Sequence, residues 1–157
     1  MQPSFNPVSP WPGCLPISSS EEVCRTGQRR MIRPWKIAVA GRLLELTRLA
    51  PGWDGYQGVA VATRTAEFAM QLLTAICQPD TPAPQIVPGP SGDLQLEWHT
   101  AVGDLELWIR GPGDVHAWSE LHATGDAEEL DVTTDFQVLA RWVQRVAESA
   151  HAGPAAT

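Results

Sequence analysis

The sequence predicts an α+β protein: a two-layer sandwich in which two N-terminal helices and a C-terminal helix cover a short antiparallel meander of three to four strands. Three observations carry this. Apolar residues recur at three- and four-residue intervals over 33–50 and again from about 63 to 77. The period drops to two between Leu94 and Leu121, interrupted by glycine-rich turns. After Thr134 the helical interval returns. At 157 residues the chain is expected to form one domain that buries roughly two-thirds of its unfolded surface.

Residues 1–30 are expected to be a disordered, proline-rich tail, because Pro3, Pro7, Pro10, Pro12 and Pro16 break any helix and no hydrophobic period appears. The globular domain is expected over 31–150, with a frayed tail at 151–157. In the first helix, Pro34 suits the first turn, and Ile32, Trp35, Val39, Leu43, Leu46 and Ala50 make one stripe that Pro51-Gly52 ends. The second helix presents Ala66, Ala69, Met70, Leu73, Ile76 and Cys77, widened by Phe68 and Leu72, and stops at Pro79 and Pro82. Pro84 to Pro88 reads as a short edge piece. Three alternating strands follow, with Leu94, Leu96 and Trp98, then Leu105, Leu107 and Ile109, then Val115, Ala117, Ser119 and Leu121 facing inward. In the last helix Thr134 and Gln137 form a capping box, Asp135 lies in the first turn, and Phe136, Leu139, Ala140, Val143 and Val146 face the core.

Charge is the sharpest compositional feature. The formal net charge is −7, but residues 1–50 carry seven basic and three acidic side chains, whereas 51–157 carry four basic and fifteen acidic. Between 93 and 135 only Arg110 opposes eleven carboxylates. Such a surface is unsuited to binding nucleic acid directly, which needs Lys and Arg against phosphates. Cys14, Cys24 and Cys77 have neither metal-like nor redox-like spacing, so no cofactor is expected and a reducing, cytoplasmic setting is the simpler reading. No stretch approaches the length of a membrane span, and the amino terminus has no continuous apolar leader, so the protein is expected to be soluble.

If the three strands pair in order, their outer face collects Gln95, Glu97, His99, Glu106, Trp108, Arg110, His116, Trp118, Glu120 and His122. Three chemistries are open to it. A metal site would use His116, Glu120 and His122, with Glu97 or His99 adding a ligand. Alternate residues of one strand stand nearly ~7 Å apart, so neighbouring strands would have to bring the donors together. Hydrolysis by Glu97, Glu106 or Glu120 would need a pocket that separates two carboxyl pKa values. A flat sheet face offers none, and no nucleophile elbow, Walker loop or H-E-x-x-H occurs, so an enzyme is not expected. The third reading is a binding surface, in which Trp108 and Trp118 are aromatic anchors among Glu97, Glu106 and Glu120, and Asp126, Glu128, Glu129 and Asp131 extend the field.

Acids also keep sheet faces soluble and edges unpaired. A net charge this negative around indoles exceeds that need. The expectation is therefore a non-enzymatic module that binds a basic protein, such as a nucleic-acid-handling protein or complex, in the manner of an antitoxin, an immunity protein or an anti-CRISPR-like inhibitor. The alternatives are a small metal-dependent or hydrolytic enzyme using His116, Glu120 and His122 of the exposed face, and a homodimer closed over the tryptophan face.

The loop Gly52-Trp53-Asp54-Gly55-Tyr56-Gln57-Gly58 is expected to be structural. Trp53 would plug the junction of the first two helices, Asp54 would make an Asx turn, and the glycines would supply positive φ. Together with Leu46 and Leu49 before it, Pro84-Gln85-Ile86-Val87-Pro88, and Gly92-Asp93-Leu94-Gln95-Leu96-Glu97-Trp98, this loop resembles a set of small uncharacterised bacterial proteins. Those share a G-W-D-G-Y-G-type loop and a P-x-I-x-P…G-G-x-x-x-E-W hairpin. The resemblance covers about residues 40–110, and departs at Gln57 and at Asp93, where a second glycine is usual. It implies a bacterial or mobile-element origin and no particular catalysis.

Overall fold

Residues 33–148 are described by a computed structural model. The expected tails at 1–30 and 151–157, with Trp11, Cys14, Cys24 and Ile32, lie outside these residues. The chain order is α1 (Pro34–Leu46), α2 (Thr63–Ile76), β1 (Gln85–Pro88), β2 (Leu94–His99), β3 (Gly103–Gly111), β4 (Asp114–Leu121), β5 (Asp126–Val132) and α3 (Gln137–Ala147). The strands form one antiparallel sheet in the order β1-β2-β3-β4-β5.

The α+β class therefore stands, with five strands in place of three or four. The added strand, β5, occupies the stretch that reads as an acidic run. It pairs with β4 from Leu121↔Asp126 to Val115↔Val132. Only Leu130 and Val132 of its side chains are withdrawn from solvent, so its period-two signal is confined to its last three residues.

One sheet face is apolar. Leu94, Leu96, Trp98, Leu105, Leu107, Ile109, Val115 and Ala117 are buried against Trp35, Val39, Leu43 and Leu46 of α1, Ala69, Leu72, Leu73 and Ile76 of α2, and Leu139, Trp142, Val143 and Val146 of α3. Burying the larger of these side chains contributes about 1.5–3 kcal/mol apiece. The buried indoles also satisfy their donors: Trp35 Nε1 donates to the Gln78 carbonyl at 3.0 Å and Trp98 Nε1 to that of Pro82 at 2.9 Å. Cys77 packs in the same core, and burial pushes its thiol up to about 12, which keeps it a protonated, unreactive hydrophobe.

Helix boundaries differ from expectation at two places. α1 stops at Leu46 and not near Ala50, because Val61 N–H returns to take the Leu46 carbonyl at 3.1 Å and Thr47 Oγ1 donates to the Leu44 carbonyl at 2.9 Å. These partners satisfy carbonyls that another helical turn would have taken. At α3 the capping box is not made. Phe136 is the N-cap without a side-chain bond, and Asp135 Oδ1 accepts from Gln137 N–H at 3.0 Å.

The loop after α1 is tied to the turn between β1 and β2. Val59 N–H donates to the Pro90 carbonyl at 3.0 Å, and Ala62 N–H to that of Gly92 at 3.1 Å. Gly92 has φ +82°, and a Cβ there would stand 3.1 Å from the Ala60 carbonyl oxygen, so only glycine fits without strain. The two ends of the described chain flank a single loop. Pro34, Trp35 and Ala38 line a hollow with Asp80 and Thr81, and Gln144, Ala147 and Glu148 line another with Gln78, Asp80 and Thr81. Among the described residues no helix is long and apolar enough to cross a membrane.

Candidate functional site

All three helices lie on the apolar side, so the strand alternation turns the polar set outward. Register then sorts that set into cross-strand rows. One row runs Gln95, Trp108, His116, Asp131; the next Glu97, Glu106, Trp118, Glu129; the third His99, Asp104, Glu120, Ala127. Seven of the nine expected contact residues thus share the open face: Glu97, Glu106, Trp108, Trp118, Glu120, Glu129 and Asp131. Asp126 and Glu128 do not. They alternate to the helix side of β5, where Glu128 Oε1 lies 3.9 Å from Arg145 Nη1 of α3.

Trp108 and Trp118 are half-buried. Trp35, Trp53 and Trp98 each fix their indole N–H on a backbone carbonyl; no such anchor holds Trp108 or Trp118 among the described residues. Trp108 rests against the His116 ring, with centroids 5.3 Å apart. His116 in turn faces two acids of β5, Nδ1 with Asp131 Oδ1 at 2.9 Å and Nε2 with Glu129 Oε1 at 3.1 Å. Arg110 is held by Asp114 at 2.7 Å, which raises the guanidinium's pKa, with Asp131 at 3.9 Å.

In the second row Glu97 and Glu106 stand directly opposite one another. Like charges in that position are destabilising. Neighbours blunt the repulsion: Gln95 Nε2 donates to Glu106 Oε2 at 2.8 Å, and His99 Nε2 lies 3.4 Å from Glu97 Oε2.

The hub of the third row is Asp104, which the sequence pattern did not single out. Its Oδ1 meets His99 Nδ1 at 2.9 Å and its Oδ2 meets His122 Nε2 at 3.0 Å. The hydrogen bonds to Asp104 raise the pKa of both imidazoles, and those from His122 and then His99 lower that of Asp104. The only available signal was the short 100–102 connection, which puts His99 opposite Asp104.

The metal constellation His116, Glu120 and His122 is not assembled. His116 is engaged with β5, His122 lies past the end of β4 and turns to Asp104, and Glu120 falls in a different row from His116. Among the described residues no group of three His, Cys, Asp or Glu side chains is arranged to hold a metal ion.

The glycine loop is closed on itself. Asp54 Oδ1 accepts the N–H groups of Tyr56 and Gly58, both at 2.9 Å, and these bonds lower its pKa. Gly58 has no room for a Cβ, which would meet the Asp54 carboxyl carbon at 2.7 Å. Trp53 does not plug the helix junction: it is half-buried, stands outside the core cluster, and donates its Nε1–H to Val59 at 3.0 Å. Tyr56 stands exposed at the tip.

No family model matches the chain, and no curated protein or solved structure matches it.

Proposed function

We propose that the protein is a non-enzymatic binding module that presents its acidic, tryptophan-bearing sheet face to a basic protein partner. The observation that supports this best is the row Glu97, Glu106, Trp118, Glu129, with Trp108 beside it. A face shaped only for solubility gains nothing from opposed carboxylates and unanchored indoles. A face that waits for Lys and Arg gains from both, because carboxylates steer the encounter and indoles pack against guanidinium planes. A partner whose own surface is made to grip phosphates is the natural complement, and such a role fits an antitoxin, an immunity protein or an inhibitor of a nucleic-acid-handling complex, of bacterial or mobile-element origin.

The test is capture of partners from host cells with the full chain, eluted in a salt gradient. A defined basic protein should leave the wild type as salt rises, since added ions shorten the reach of exposed charges to about 8 Å or less at physiological strength and beyond. The variant carrying Glu97→Lys, Glu106→Lys and Glu120→Lys should not retain it, while keeping a cooperative thermal transition. Equal retention by that folded variant rejects the face.

A further inference from the structure

The two edges of the sheet are finished differently. β1 is four residues long, is preceded by Pro84 and ends in Pro88, and α1 reaches over it as Arg42 Nε donates to the Ile86 carbonyl at 3.4 Å. Proline offers no N–H for pairing, so this edge is closed to another strand. β5 is guarded by charge alone, through Asp126, Glu128, Glu129 and Asp131, which repels an acidic strand and admits a basic one. It runs seven residues without a proline, pairs with β4 at every position, and among the described residues has no strand on its outer side. Its unpaired backbone groups are a template for one more strand.

The ground beside that edge is shaped. Leu130, Val132 and Val138 line a groove of about 240 Å³ between β5 and the start of α3, with Asp131 and Asp135 on its rim. An added strand would turn alternate side chains towards Leu130 and Val132, and further along towards Asp126 and Glu128, and the others towards Glu129 and Asp131 on the open face. A second copy of β5 is the wrong occupant, because antiparallel self-pairing would set its carboxylates against one another.

We propose that the outer edge of β5 accepts an extended segment of the partner in which apolar and basic residues alternate, joined to the sheet by main-chain hydrogen bonds. This rests on the basic-partner reading above and adds the element through which the partner is held.

The test uses the full chain and two synthetic peptides: one of alternating valine and lysine, and the same peptide with alternate backbone amides N-methylated. Both carry the same charge, but only the first can complete a ladder. The unmodified peptide should bind about tenfold tighter or more, the loss expected when two or so hydrogen bonds are blocked, and it should slow amide exchange across 126–132. Equal binding by both peptides overturns the strand addition and leaves the acidic surface as the recruiting element. Binding by neither at low salt overturns both.

Discussion

Asp104 takes one imidazole on each carboxylate oxygen, at 2.9 and 3.0 Å, and so makes one end of the open face responsive to protons. The signs follow from the shifts. His99 and His122 are raised by the fold, so their contribution is full below their unfolded value of about 6.5 and is lost as pH rises through the folded values. Asp104 is lowered, so its contribution is present above about 3.9 and is lost as pH falls through its depressed value. The cluster therefore stabilises most in mildly acidic solution. Asp104→Asn should lower the melting temperature more at about pH 5 than at about pH 8; an equal loss at both would contradict the pairing. The effect will be small, because the side chains of His99 and His122 are 52% and 46% exposed and solvent screens them. The individual outward residues of β2 to β4 were legible in the sequence because period-two alternation fixes which side each faces. Asp104 was not, since its role depends on two histidines brought to it by different turns.

At the scale of the strand pair, Glu97↔Glu106 is a cost the sheet bears for its charge. Glu106→Gln removes the repulsion and keeps an acceptor for Gln95. It should raise stability by about 0.2–1 kcal/mol, the range of opposed pairs, as read from the midpoint of urea unfolding, and weaken retention of a basic partner. A lower midpoint would mean that the carboxylates are better satisfied than their register implies. The same scale explains what the sequence hid. The inward rows of β2 to β4 alternate without a break and were readable, as were the stripe of α2 and Trp35, Val39, Leu43 and Leu46 of α1, whereas Ala50 is exposed beyond the helix. β5 was missed because an edge strand needs few apolar residues, and four of its seven are acids. The stop of α1 was misplaced for a different reason: its last carbonyl is taken by Val61, a partner fifteen residues on. Local periodicity contains no trace of such a bond.

At the scale of the described fold, the carboxylate rows lie on the far side of the sheet from α1, which carries Lys36 and Arg42 with Glu45, while β5 turns Asp126 and Glu128 towards the helices. The ties between the loop after α1 and the β1–β2 turn join the two halves of the G-W-D-G-Y and P-x-I-x-P…G-D pattern.

The start of α1 and the end of α3 both lie beside the Gln78–Thr81 loop, which has its own consequence. Where the first and last helices of a fold border one loop, the order in which the elements are threaded is a convention more than a requirement. A circular permutant of residues 33–148, joining Glu148 to Arg33 through a glycine-serine linker and opened between Thr124 and Gly125 in the exposed β4–β5 turn, should give the circular dichroism of the unpermuted 33–148 chain and a single melting transition. The same arrangement would let these elements be carried as an insert within another protein's loop, entering and leaving beside Gln78–Thr81 while the acidic face stays turned outward.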